Sequence, residues 1–190
     1  MSVETESLLL EERQTEGGLY RRFKAVPGAV GGARSMVREV LGPHVSEDRL
    51  EDAVTIIDEL AVNAVEHGTP HDTPQAFAVG VGRLRSGGIF MLVANNSEEE
   101  PVRFTGNPED LFGLEDGRGM LMVQALANTW GASHTISKDV HNILPSAGTV
   151  VYATQTQPRP EVQEGIELEI TDRAKGIGVR RVPLQRAPKG

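Results

Sequence analysis

The chain has 190 residues, a formal net charge of −8 and no cysteine, which bounds it to one domain with a real core and excludes disulfides, thiolate metal sites and cysteine nucleophiles. The acidic balance argues against a general nucleic-acid binder, because phosphate backbones demand excess lysine and arginine. No apolar run approaches the roughly 18 residues that span a bilayer, and the acidic stretch Met1–Glu16 is no signal peptide, so a cytoplasmic location is expected.

Residues 1–18 read as a flexible acidic arm, holding five glutamates and one arginine as far as Glu16. Leu19–Val26 reads as a strand, ended by Pro27-Gly28. Ala29–Leu41 has helical spacing (Val30, Ala33, Val37, Val40, Leu41), and Gly42-Pro43 stops it. Ser46 looks like the N-cap of a second helix that runs to His67, where Gly68-Thr69-Pro70 breaks it. On that helix Leu50, Ala53, Ile57, Leu60, Ala61, Ala64 and Val65 form one broad apolar face. Asp52, Thr55, Glu59, Asn63 and Glu66 form the polar one.

Ala76–Leu84 and Ile89–Ala94 read as strands joined by the tight connection Arg85-Ser86-Gly87-Gly88. Residues 95–116 lack periodicity and carry Glu98-Glu99-Glu100; a structureless stretch of that length often marks a functional lid. Gly119–Asn128 reads as a short apolar helix. Thr129–Ser137 and Thr149–Thr154 read as closing strands with a polar loop between them. Residues 19–156 thus form the domain, and 157–190 a polar tail with six basic and no acidic residues from Arg173 onward. In it Ile166–Ile170 and Gly178–Val182 could pair as a hairpin. Helices first, then strands in hairpins, then a helix and strands again predict an α+β, two-layer sandwich: a mixed sheet with helices on one face.

Glu59 and Asn63 stand four apart, side by side on one helix face, with His67 one turn further on. A carboxylate beside a carboxamide is a poor core pair, but it suits a base and a metal-orienting oxygen over a phosphate. Gly117-Arg118-Gly119, entering an apolar helix, lets backbone N–H groups close around phosphates at a helix N-terminus. Singly each signal is weak. Glu and Asn are ordinary on a polar helix face, Gly-x-Gly turns are common, and the Lys-Ser/Thr ending of a P-loop is missing. The histidines have no metal-ligand spacing and read as surface or capping residues, while Trp130 reads as core.

The order of these signals is more specific than any one of them. "DELAVNAVEHG" resembles the N-box of the GHKL superfamily of ATP-binding domains, and within it of the small anti-sigma-factor serine/threonine-protein kinases. "LEDGRGMLMVQALANTWG" resembles their glycine-rich lid end and following helix, and "FKAVPGAVGGARSMV" their opening segment. The resemblance covers residues 19–154. It implies ATP and Mg²⁺ as cofactors, with a sigma factor and/or an anti-anti-sigma antagonist as partners, and leaves a homodimer open. Glu59 would be the general base and Asn63 the Mg²⁺ ligand, with His67 and Gly68 shaping the end of the N-box. Gly117, Arg118, Gly119 and Met120 would close over the phosphates, and Thr149 would help to hold the adenine. At the position where the family carries an aspartate for the adenine amino group this chain has Asn95, and where it carries a glycine, Ser97. A neutral acceptor makes a bond about half as strong as a charged one. Two readings therefore stand: a kinase that phosphorylates a serine on its antagonist, and a catalytically inactive binding module on the same fold.

Overall fold

The computed structural model describes residues 8–16, 18–68, 75–84, 87–97, 118–156, 166–171 and 178–183. In chain order they form strands β1 (Leu9–Gln14) and β2 (Leu19–Lys24), a 3-10 turn over Pro27–Ala29, and helices α1 (Val30–Leu41) and α2 (Glu47–Glu66). Strands β3 (Ala76–Arg83) and β4 (Ile89–Asn95), helix α3 (Arg118–Leu126), strand β5 (Thr129–Ser133), helix α4 (Lys138–Ile143) and strand β6 (Thr149–Gln155) follow. Strands β7 (Ile166–Thr171) and β8 (Gly178–Pro183) pair antiparallel as a separate two-stranded sheet.

The six remaining strands form one sheet in the order β1-β2-β3-β4-β6-β5. The α+β sandwich is as expected, but the sheet is not mixed: every pairing in it is antiparallel. Strands β4 and β5, on either side of α3 in the chain, do run in the same direction. Strand β6 lies between them and is antiparallel to both, so no parallel pair forms. Residues 9–14 fall within the stretch expected to be a flexible arm, and they form the edge strand β1.

Two cores sandwich the sheet. On one face α1, α2 and α3 bury Met36, Ile57, Leu60 and Val123 against Phe77, Val79, Val81, Met91 and Val93. On the other, α4 and the segment after it bury Val140, Ile143 and Leu144 against Tyr20, Ala78, Leu92, Ala94 and Val150. Helices on one face only is therefore corrected: the loop expected between the last strands contains α4, which is capped by Ser137 accepting from Val140 N (3.3 Å). Alternate residues of β3 and β4 serve the two cores, so both strands are apolar nearly throughout. Tyr20 of β2 lays its ring over its strand partner: a Cβ on Gly80 would come within 2.6 Å of it. Burial, with Asp139 of α4 adding negative charge, pushes the Tyr20 hydroxyl up to about 12.

Helix α2 crosses the sheet on the first face. Ser46 stands at its N-cap position with extended backbone, but its side chain makes no capping bond; the first turn is closed by Leu50 N donating to Ser46 O (2.9 Å). Arg49 Nη2 donates to Gln155 O at the end of β6 (2.8 Å) and fixes the start of the helix over the sheet. At the other end His67 N donates to Asn63 O (2.9 Å), and Gly68 lies against Asn96, just beyond β4. One long helix thus carries its polar stripe from the α3 contact to the end of the central strands.

Candidate nucleotide site

The α2 stripe is half-buried at Glu59 and Asn63 and exposed at Glu66 and His67. Its inner wall is α3. A Cβ on Gly119 would overlap Glu59 Oε2, so only a glycine lets the first turn of α3 come this near the carboxylate. Arg118 opens α3, which has nine residues, and Gly117 lies outside the described residues. Met120, expected among the phosphate-facing residues, has its side chain in the helix-side core at 6% exposure; what it can offer a ligand is its backbone N–H.

Glu59 sits in acidic company. Burial raises its carboxyl above the ordinary value, and Asp58 and Glu66 add like charge in the same direction. Asp58 itself is ion-paired with Arg34 of α1 (3.3 Å). The result is a carboxylate that holds its proton more tightly than a solvated one, the property that suits a general base near neutral pH.

The strand end of the site is built differently. Asn95, the last residue of β4, pairs with Thr149 of β6, and strand alternation places both side chains on the helix side. Ser97 N donates to Asn95 Oδ1 (3.2 Å) and Gly148 N donates to Asn95 O (2.8 Å). Thr149 is 2% exposed, and its hydroxyl donates to Ser97 O (2.6 Å). His134, just past β5, brings Nδ1 to 3.1 Å from Thr149 Oγ1 and 3.3 Å from Gly148 O. A Cβ on Gly148 would stand 2.6 Å from Ser97 O, so the turn into β6 fits closely only as glycine.

The structure therefore joins Glu59 to Gly119 at one end and Asn95 to Thr149, through Ser97 and Gly148, at the other. Residues 98–117, most of the expected lid, lie outside the described residues. From the sequence, Ser97 enters only as the residue standing where the family carries a glycine, and His134 only as a surface or capping histidine. Ser97 and Gly148 contribute backbone atoms, which carry no side-chain signature, and nothing in the sequence around His134 distinguishes it from a surface histidine.

Among the described residues no group of three or more His, Asp or Glu could hold a metal ion by itself. A metal at this stripe would be shared between a protein ligand and phosphate oxygens, the usual arrangement for Mg²⁺. No helix among the described residues is long and apolar enough to cross a membrane.

The chain matches the family model of the histidine kinase-like ATPase domain over residues 23–154. Against curated proteins it has no significant match. The matched segment runs from β2 to the end of β6 and includes the α2 stripe, the start of α3 and the closing strands. The chain belongs to the histidine kinase-like ATPase domain family, within the GHKL superfamily.

Proposed function

We propose that this protein is an ATP-binding regulator of the anti-sigma-factor kinase type, which transfers phosphate to a serine of an antagonist protein and sequesters a sigma factor. The observation that carries the reading is the juxtaposition of Glu59, Asn63 one turn along α2, and the glycine-fronted first turn of α3. The finer assignment, to anti-sigma-factor kinases, is supported by the motif likeness of residues 19–154.

The residues present fit a nucleotide phosphate chain with one Mg²⁺. Asn63 would supply a neutral oxygen ligand, the first N–H groups of α3 would offer the phosphates a favourable dipole, and Gly119 lets that first turn approach Glu59 closely. Mg²⁺, if held by Asn63, would offset the negative charge of the phosphates. Glu59 accepts the proton of the incoming serine hydroxyl, and burial with its two acidic neighbours gives the carboxylate the basicity for that transfer. Arg34 of α1 ion-pairs with Asp58, one of those two neighbours.

One observation favours a second reading, a binding module without catalysis. Asn95 replaces the aspartate of related domains, and its carbonyl already accepts the Ser97 N–H. Calorimetric titration with Mg-ATP and Mg-ADP separates the two. Micromolar binding followed by transfer of labelled γ-phosphate to an antagonist serine supports the kinase. Silence toward millimolar purine nucleotides leaves the module.

A further inference from the structure

The orientation of Asn95 determines which base the site prefers. A carboxamide has one accepting and one donating end. The atom 3.2 Å from Ser97 N faces an N–H and must accept, so it is Oδ1 by chemistry and not merely by assignment. Nδ2 is then the end turned away from the Ser97 turn. An aspartate held by the same Ser97 N–H would present a second accepting oxygen there. Asn95 presents a donor.

The surroundings hold that orientation. The hydroxyl of Thr149 has one proton, and at 2.6 Å Ser97 O can only accept it. Toward His134 Nδ1, 3.1 Å away, Thr149 Oγ1 must therefore accept, which requires Nδ1 to carry a proton. Gly148 O is an acceptor as well, so the same proton serves it at 3.3 Å. His134 thus holds Thr149, Thr149 holds Ser97 O, and the turn so fixed keeps Ser97 N on Asn95 Oδ1. Gly148 N on Asn95 O fixes the backbone of the same residue. Reversing the amide would set two N–H groups against each other.

From this we infer that the base end of the site is complementary to a purine with a keto oxygen at position 6, as in hypoxanthine or guanine, and poorly matched to the 6-amino group of adenine. The inference rests on the reading of this site as a nucleotide site and changes the base, not the phosphate chemistry. A donor facing a keto oxygen completes a hydrogen bond. A donor facing an amino group leaves both without one.

The test compares Mg-ITP with Mg-ATP by calorimetric titration of the full chain; the two differ at the 6 position of the base and the adjoining N1 proton. Wild type should bind ITP as tightly as ATP or tighter. Asn95→Asp keeps the bond to Ser97 N and replaces the donor by an acceptor, so it should swing the ITP-to-ATP preference toward ATP by about tenfold. His134→Asn keeps a donor where Nδ1 stands and should preserve the wild-type preference, whereas His134→Ala should weaken it. A wild type that prefers ATP severalfold overturns the inference and leaves the nucleotide site intact. An Asn95→Asp protein with an unchanged ratio overturns it too, because a merely structural asparagine would change stability and not base choice. Wild type that binds neither nucleotide overturns the nucleotide reading and this inference with it.

Discussion

The two ends of the candidate site are built on opposite principles. At the α2–α3 end a half-buried carboxylate sits among other acids, raised in pKa and pressed against a glycine. At the strand end Thr149, Ser97, Gly148 and His134 hold one another and the backbone of Asn95 through hydrogen bonds. One end keeps charge in reserve, at some cost to stability. The other uses its polar groups to make a rigid frame. Pre-organised frames suit recognition and held-back charge suits proton transfer, so substitutions at the two ends should fail in different ways.

The largest effect is expected at Glu59. Glu59→Gln keeps shape and helix propensity but cannot take a proton, so phosphoryl transfer should fall by about 10²–10⁴-fold with nucleotide affinity retained. Transfer assays beside titration check it, and equal loss of binding and transfer would remove the general-base role. Next comes Gly119→Val, whose branched side chain would overlap Glu59 Oε2. It should displace α3, weaken nucleotide binding and lower stability by about 2–3 kcal/mol, read as a shift in the urea midpoint.

At the frame end, Thr149→Val keeps the volume and removes the hydroxyl, leaving Ser97 O and the His134 N–H without this partner. A loss of about 1 kcal/mol is expected, the net contribution of a buried hydrogen bond. Measured by the same urea transition, it should far exceed the stability change in Glu59→Gln. If the two changes were alike, the contrast between frame and charge reserve would collapse.

The smallest effect is the pH dependence of stability, and its sign follows from Glu59. Its pKa is raised in the folded state above the ordinary 4.5. Below 4.5 both folded and unfolded chains hold the proton and the group costs nothing. As pH rises through the folded-state value, the buried charge appears and stability falls. Glu59→Gln should therefore melt with wild type at about pH 4 and above it at about pH 7. A variant less stable than wild type at neutral pH would mean that the carboxylate is held by a partner and not merely tolerated.

Much of this was legible in the sequence, for reasons particular to each element. Helix α2 declares itself through twenty residues of 3.6-period patterning, and Glu59 and Asn63 fall on its polar face by arithmetic alone. Strand β1 was missed because Glu11, Glu12 and Arg13 give it no apolar alternation: as an edge strand its residues are mostly exposed. Ion pairs from Arg21 to Glu12 and from Arg22 to Glu11 help to hold it to β2. Helix α4 is six residues long, below what periodicity detects. The second core could have been read, since the unbroken run Ala76–Val81 signals burial on both faces. The inward turn of the Met120 side chain was not legible, because a motif fixes order along the chain and not which way a side chain turns. The strand-end frame depends on Ser97 O and Gly148 O, which every sequence possesses, so only the fold could reveal it.

Among the described residues β1 and β5 form the two edges of the sheet. An unpaired edge is a template for another chain's strand. Strand β5 limits that hazard by length, with only five residues. Strand β1 limits it by chemistry and shape. It carries glutamates and an arginine, and its register slips between Leu9 and Glu11, so one residue is left over as a bulge. Arg21 also reaches Glu39 of α1 (2.8 Å), tying the strand behind β1 to the helical layer. The acidic stretch expected to be an arm outside the domain is thus the sheet's own edge, charged and bulged in the way that discourages pairing with another chain.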